Sequence, residues 1–144
     1  MRLSQKENPI NYIYGPLICG EALDVMGNYI LSGSWRDHQR LEIWDLRKFQ
    51  LLKEIPWEVE RNQEKSYIYS AQFSKFTENL VIAGGSGNNE IRVFKQENKE
   101  NLEYKLLETI KESNKSIYTL DFCFDSDKFA YGDGEGNVGI IDLF

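Results

Sequence analysis

The sequence predicts an all-β protein that is built from repeated antiparallel sheets. Three observations lead to this fold class. Apolar and polar residues alternate with a period of two in many short runs, which Gly, Asn and Asp bound. These runs recur in the same order three times, at a spacing of roughly 45 residues. Hydrophobic residues make up 41% of the chain, which is enough to fill a core between such sheets.

The composition excludes several classes of function. The chain has 144 residues, so one domain is expected. Its formal net charge of -6 argues against a nucleic-acid groove and against a basic membrane-binding patch. No apolar run approaches the roughly 20 residues of a membrane span, and the first residues lack the apolar core of a secretory signal. We therefore expect a soluble, cytoplasmic protein without nucleic-acid or membrane partners.

Each repeat is predicted to contain three strands on a common plan. The first strand alternates, the second ends in small residues before a polar turn, and the third ends in a large apolar residue. The expected strands are 19–25, 28–33 and 41–46 in the first unit, 66–73, 80–85 and 90–94 in the second, and 116–122, 128–132 and 137–142 in the third. A less regular strand is expected before each unit, at 11–14, 50–55 and 102–110. The last of these should follow a hairpin loop that begins near Gln96.

Residue size along the strands predicts where each side chain lies. Small residues suit the crowded inner part of a sheet, where backbones approach closely; they are Ser32, Gly33, Ala83, Gly84 and Gly132. Large residues suit the space between facing sheets; they are Trp44, Phe73, Phe94 and Phe122.

The third strand of the first unit, Leu41-Glu-Ile-Trp44-Asp45, ends in a Trp-Asp dipeptide, and Ile140-Ile-Asp142 and Val93-Phe94 look like degraded copies of it. With these motifs the units resemble WD repeats (WD40), which build β-propellers from four-stranded blades. The Gly-His pair of that family is Gly15-Pro16 here, and His38 is the chain's only histidine. The family's buried histidine network is therefore not expected, and apolar packing should hold the blades together.

The resemblance implies that the outer strand of one blade precedes the three inner strands of the next. After a tail at 1–10, the chain then holds three units, approximately 11–47, 48–96 and 97–144, and its last blade lacks an outer strand. Three blades are too few to close a propeller, so we expect part of a six- or seven-bladed ring.

Three ways of completing the ring remain open. Two copies could close it as a homodimer, with the strand at Asn11–Tyr14 of each copy completing the last blade of the other. The contact residues would be Tyr12, Ile13, Tyr14, Val138 and Ile140. Alternatively, a complementary propeller chain supplies the missing blades, or the sequence is the C-terminal part of a longer protein.

No catalytic, cofactor or metal site is expected. Gly134–Gly139 matches the dinucleotide fingerprint G-x-G-x-x-G, but a strand rather than a helix should follow it. The carboxylates of 125–127 and 133–135 lack the ligand order of a calcium loop and read as turn residues. His38 has no nucleophile beside it in a recognisable triad. Cys19 and Cys123 lie in alternating or apolar runs, and we expect buried free thiols.

The remaining interpretation is a non-enzymatic scaffold or subunit that binds protein partners. The best candidate surface is the loop 34–40, because Trp and Arg dominate interface hot spots. Its contact residues would be Trp35, Arg36, His38 and Arg40. Trp35 could instead fold back onto its own blade. An enzyme with its site in the channel of a complete propeller is the alternative function.

The amino-acid composition and sequence similarity also suggest an origin for the protein. Richness in Asn, Lys, Gln, Glu and Ile suggests an AT-rich genome such as that of a protist. The sequence is similar to WD-repeat proteins of ciliates and algae, some of which are associated with cilia. A ciliary or cytoskeletal scaffold and a general cytosolic scaffold are both compatible with this resemblance.

Overall fold

The computed structural model describes residues 9–58 and 65–144, and every regular element in these ranges is a β-strand. The strands are β1 (Leu23–Met26), β2 (Tyr29–Gly33), β3 (Leu41–Asp45), β4 (Gln50–Glu54), β5 (Ile68–Phe73), β6 (Leu80–Gly85), β7 (Ile91–Asn98), β8 (Glu103–Ile110), β9 (Ile117–Phe122), β10 (Lys128–Asp133) and β11 (Val138–Asp142). No helix in the described ranges is long and apolar enough to cross a lipid bilayer.

The strands form three antiparallel sheets, which we call blades. Blade 1 has the order β1-β2-β3-β4, blade 2 has the order β5-β6-β7-β8, and blade 3 contains only β9, β10 and β11. Strand β11 forms one edge of blade 3, and no described residue pairs with its outer side. The all-β fold and the three-stranded last blade are therefore confirmed. The bounds of the sequence units remain a prediction.

One expected strand does not form. Residues 11–14 have no strand structure, because no sheet edge lies beside them to satisfy their backbone groups. They belong instead to a segment that runs over blade 1. The turn expected near Gln96 is also shorter than predicted, since β7 continues to Asn98 and β8 begins at Glu103.

Two apolar cores hold the three blades together. The core between blades 1 and 2 contains Leu31, Leu41, Ile43, Phe73, Val81 and Phe94, and the core between blades 2 and 3 contains Ile82, Ile91, Val93, Leu120, Phe122 and Phe129. Phe122 and Phe129 meet edge to face, with their ring centroids 5.8 Å apart. Trp44 is also buried, on the opposite face of blade 1, and its indole nitrogen donates to Ser32 Oγ at 3.0 Å. The predicted placement between facing sheets is thus confirmed for Phe73, Phe94 and Phe122, whereas Trp44 lies on the outward face of blade 1, beneath residues 11–18.

Glycines near the inner strands allow neighbouring blades to approach closely. A Cβ atom on Gly33 would lie 2.4 Å from Cγ2 of Ile68, and one on Gly84 would lie 3.0 Å from Cγ2 of Ile117. Each glycine therefore touches the innermost strand of the next blade. This contact explains why small residues end the second strand of the first two repeats.

The prediction of buried cysteines is wrong, since Cys19 and Cys123 are both free and exposed. Cys19 lies before β1, in a segment without strand structure, and Cys123 lies in the turn after β9. The alternation that suggested burial ends at both positions, so neither thiol enters an interface between blades.

Candidate partner-binding surfaces

The loop between β2 and β3, residues 34–40, is held in place by backbone contacts on both sides. The N–H of Leu17 donates to Ser34 Oγ at 2.9 Å, and the N–H of Trp35 donates to the Leu17 carbonyl at 3.1 Å. From blade 2, the N–H of Ile68 donates to the Ser34 carbonyl at 3.2 Å. The loop therefore presents its side chains from a fixed backbone.

The four candidate residues of this loop have different environments. Trp35 is 49% exposed, and His38 is exposed as well. Arg40 is half-buried. Arg36 points inward: its NH2 group donates to Glu42 Oε2 at 2.7 Å and to the Gln39 carbonyl at 2.8 Å. Trp35 and His38 are thus available to a partner, whereas Arg36 stabilises the loop itself.

The ion pair between Arg36 and Glu42 is buried, with side-chain exposures of 14% and 2%. Burial raises the pKa of Glu42, and the Arg36 guanidinium opposes this effect. A carboxylate in this position is costly without its cation, because desolvation is then uncompensated. The pair therefore ties the rim loop to β3.

A second ion pair extends this surface towards blade 2. Lys65 Nζ lies 2.7 Å from Asp37 Oδ2, and both side chains are more than half exposed. The hydrogen bond from Lys65 lowers the pKa of Asp37, and the same bond raises the pKa of Lys65. An exposed pair of this kind contributes little stability, so these charges remain able to exchange partners.

A different surface is the outward face of blade 3, which no described residue covers. Val138 and Ile140 on β11 are 79% and 75% exposed. Cross-strand pairs show which residues of the other blades correspond to Val138 and Ile140. The pairs Ala130–Ile140 and Gly132–Val138 of blade 3 correspond to Leu31–Ile43 and Gly33–Leu41 of blade 1, and to Ile82–Val93 and Gly84–Ile91 of blade 2. The counterparts of Val138 and Ile140 in blades 1 and 2 are buried. Blade 3 therefore leaves exposed the positions that are buried in blades 1 and 2.

The free edge of β11 borders a groove of about 470 Å³. Glu108 to Glu112 of blade 2 form one wall, and Gly139 to Asp142 form the other. The corresponding edges of β3 and β7 are occupied by β4 and β8. The groove lies where an outer strand of blade 3 would pair with β11.

The outward face of blade 1 is partly covered by residues 11–18. A cavity of about 400 Å³ separates this segment from the sheet; Asn11, Ile13, Pro16 and Ile18 line one side, and Leu23, Val25, Ile30, Trp44 and Phe49 line the other. Tyr12 and Tyr14 are 59% and 83% exposed. The candidate closure residues therefore lie in two groups, one on blade 1 and one on β11 of blade 3, and the structure does not bring them together within one chain.

Sequence reasoning missed the polar contacts that join the blades. Asp24 Oδ2 accepts from the N–H of Phe73 at 2.8 Å and from Lys75 Nζ at 2.6 Å. The Ser74 hydroxyl donates to Asp127 Oδ1 at 2.7 Å. Thr119 donates to a carboxylate oxygen of Glu21, which connects blade 3 to the segment before β1. For Asp24, the available signal was a carboxylate at an alternating position of the innermost strand β1.

The glycine-rich stretch and its carboxylates form a turn. Asp133 Oδ1 accepts from the N–H groups of Glu135 and Asn137 at 3.0 and 2.9 Å, and Asp133 Oδ2 accepts from the Ser113 hydroxyl at 2.6 Å. Strand β11 follows directly, as the sequence predicts. The Ser113 hydroxyl, with further hydrogen bonds from Asn137 and Glu135, lowers the pKa of Asp133 to about 2.

Replacement of Arg36 should destabilise the fold. Arg36→Ala leaves Glu42 buried without its cation, and we expect it to lower the free energy of unfolding by roughly 3 kcal/mol. Arg47→Ala is the matched control, because Arg47 is 63% exposed and its buried partner Asp45 keeps hydrogen bonds from the backbone N–H groups of residue 47 and Lys48, so a loss below about 1 kcal/mol is expected. Urea unfolding measures both. Equal losses would show that the Arg36 pair has no special structural role.

Stability should depend on the protonation of Asp133 in acid. Its folded pKa of about 2 lies below the ordinary value of 3.8 for an aspartate, so its contribution is present above pH 3.8 and is lost as the pH falls towards 2. Asp133→Asn should reduce the change in Tm between pH 5 and pH 2. Asp125→Asn, at an exposed aspartate of the neighbouring turn, is the control. An unchanged pH profile in Asp133→Asn would contradict this assignment.

Comparison with known proteins supports the architecture. No protein-family model matches the sequence, and no curated protein matches it. Among solved structures, the chain is similar to the β-propeller domain of Cps50 (Swd1) from Myceliophteria thermophila, with a TM-score of 0.71 and 14% sequence identity. The match covers 94% of this chain and 38% of that chain. The chain thus has a β-propeller fold and spans well under half of that propeller domain.

Proposed function

We propose that this chain is a non-enzymatic WD-repeat interaction module, part of a propeller that further blades complete within a larger assembly. The observation that carries the proposal is the outward face of blade 3. Val138 and Ile140 occupy positions that are buried in blades 1 and 2, yet they are more than two-thirds exposed. Apolar faces of this kind mark contacts with another protein surface.

The edge of β11 supports the same proposal. An unpaired strand edge offers a row of backbone donors and acceptors to an added strand. The groove beside β11 has the walls that such a strand needs. A completing polypeptide would thus contribute both an outer strand to blade 3 and a sheet that packs on Val138 and Ile140.

Closure of the ring by two copies requires the N-terminal segment, residues 11–18, to move. A blade from a second copy can pack on blade 1 only where residues 11–18 now lie. That segment must leave blade 1 before two copies can form a ring. Its departure would free Tyr12, Ile13 and Tyr14 to pair with β11 of the second copy, as the sequence suggested.

The rim loop is the proposed site for a protein that binds the assembly. Trp35 offers a large amphipathic ring on a fixed backbone, which lowers the entropic cost of binding. His38 and the pair Asp37–Lys65 surround it with exchangeable polar groups. We expect a cytoplasmic setting for this assembly, with the cilium or cytoskeleton as a narrower possibility.

The mass of the chain in solution tests the proposal. We expect dimers or larger species in light scattering on a sizing column, since an exposed blade face drives association. Val138→Asn combined with Ile140→Asn should shift the population towards monomer. Leu107→Asn on β8, which is 46% exposed, is the matched control and should leave the mass unchanged. A monodisperse, folded wild-type monomer would contradict the proposal.

The rim surface has its own test. Trp35→Ala should reduce the recovery of partner proteins in a pull-down about tenfold, the loss typical of an interface hot spot, while Tm stays within about 2 °C. Arg36 is left intact, because it stabilises the loop. Phe76→Ala, at another exposed aromatic residue, is the control. Unchanged recovery with Trp35→Ala would remove this loop from the proposed surface.

A further inference from the structure

We infer that the outward face of blade 3 binds a fourth blade that carries a basic side chain opposite Asp121, and that blade 1 of a second copy does not supply it. The inference rests on the proposed function and specifies the chemistry of the completing blade. Asp121 lies on β9, the innermost strand of blade 3, and is exposed. Val138 and Ile140 are exposed on the same sheet face, and Thr119 on that face donates to Glu21.

Strand register shows that Asp121 occupies the same place as Asp24. Asp24 pairs with Leu31, which pairs with Ile43 in the next strand. Asp121 pairs with Ala130, which pairs with Ile140. Each aspartate thus begins a row of residues that points towards the following blade.

At the contact between blades 1 and 2, this aspartate binds two donors from the following blade. Asp24 Oδ2 accepts from the N–H of Phe73 at 2.8 Å and from Lys75 Nζ at 2.6 Å. Lys75 also donates to the Val25 carbonyl at 3.0 Å. The side chain of Asp24 is only 14% exposed, so its charge is shielded from water and requires the cation.

The corresponding positions at the next contact hold neutral residues. The position of Asp24 is occupied in blade 2 by Gln72, which pairs with Ile82. Phe73 and Phe122 correspond in register, so Phe124 of blade 3 stands at the position of Lys75. The acidic residue of blade 1 thus binds a lysine of the next blade, whereas the neutral residue of blade 2 has at the corresponding position only Phe124, which is 85% exposed. Asp121 therefore requires a basic residue in the blade that follows.

Blade 1 of a second copy does not meet this requirement. Val25 corresponds to Phe73 in register, so Gly27 stands at the position of Lys75. The N–H of Val25 already donates to Asp24 Oδ1 at 2.8 Å. Packing blade 1 against blade 3 would bury Asp121 without a cation, which is strongly unfavourable.

The apolar part of the face also specifies its partner. Ala130 stands where Leu31 and Ile82 stand in the other blades, and it leaves more space above the sheet. The corresponding space above Ile82, between blades 2 and 3, is filled by aromatic residues of the following blade, since Phe129 and Tyr131 lie in the same core as Ile82. The fourth blade should carry aromatic side chains that are at least as large.

Blade 2 of this chain provides a probe, because it already carries Phe73 and Lys75. We would append a second copy of residues 48–110 after Phe144. The spacing between Asp142 and the copied outer strand then equals the natural spacing between Asp45 and β4. The copied outer strand can pair with β11, and the copied Lys75 can reach Asp121. Hydrogen exchange of the β11 amides that point away from β10 reports docking, since these amides are at a free edge in the natural chain.

The expected result is strong protection of β11 in the extended chain. Asp121→Asn, or Lys75→Ala in the appended copy alone, should each reduce that protection about tenfold, as expected for a charge-assisted hydrogen bond. The double variant should lose little more than either single variant, because the two residues act as a pair. Asp121→Asn in the natural chain and Asp125→Asn in the extended chain are controls without effect.

Two outcomes would overturn the inference in distinguishable ways. Protection of β11 that is insensitive to Asp121→Asn and to the copied Lys75→Ala would reject the charge requirement but leave the proposed function standing. An extended chain in which β11 stays unprotected would reject both, since the face would then not accept a blade. The inference would also be overturned if the natural chain associates and a cross-link joins β11 of one copy to Val25 of a second copy.

Discussion

The structure depends on the fact that each sheet is apolar on both faces. A surface β-sheet normally hides one face and exposes the other, but the middle blade of this chain is packed on both sides. Burial of apolar area is the dominant favourable term in folding, so a blade gains most of its stability from its neighbours. Blades 1 and 3 each have one such neighbour among the described residues. Their second faces set the properties of the whole molecule.

The second faces of the two end blades, blade 1 and blade 3, are covered to different extents. Residues 11–18 partly shield blade 1 and leave a cavity beneath them, so they form an imperfect replacement for a sheet. Blade 3 has no comparable cover, and its β11 lacks both a paired outer strand and a facing blade. The blade 1 end of the arc is therefore partly covered, whereas the blade 3 end exposes an apolar face and an unpaired strand edge. The partial cover also makes the N-terminal segment a competitor of any blade that approaches blade 1.

Local patterns predicted most of the fold, because strand alternation and small residues before turns are properties of single strands. The eleven strands of the described residues followed from such patterns, with shifts of up to four residues at their ends. The strand expected at 11–14 failed because pairing depends on a neighbouring edge, which no local pattern reports. Asp24 and Lys75 were missed for a related reason: their contact links residues 51 positions apart, and only the blade geometry brings them together.

The residue at the position of Asp24 differs from blade to blade, with Asp in blade 1, Gln in blade 2 and Asp in blade 3. Repeated sheets of similar shape could in principle stack in several permutations, and shape alone would discriminate poorly between them. A charge that must meet its counter-charge makes an incorrect neighbour costly. Asp24 finds that counter-charge in Lys75 of blade 2. A folding intermediate that packed blade 1 against a sheet without a cation at this position would leave the aspartate unmatched and would be less stable than the native arrangement.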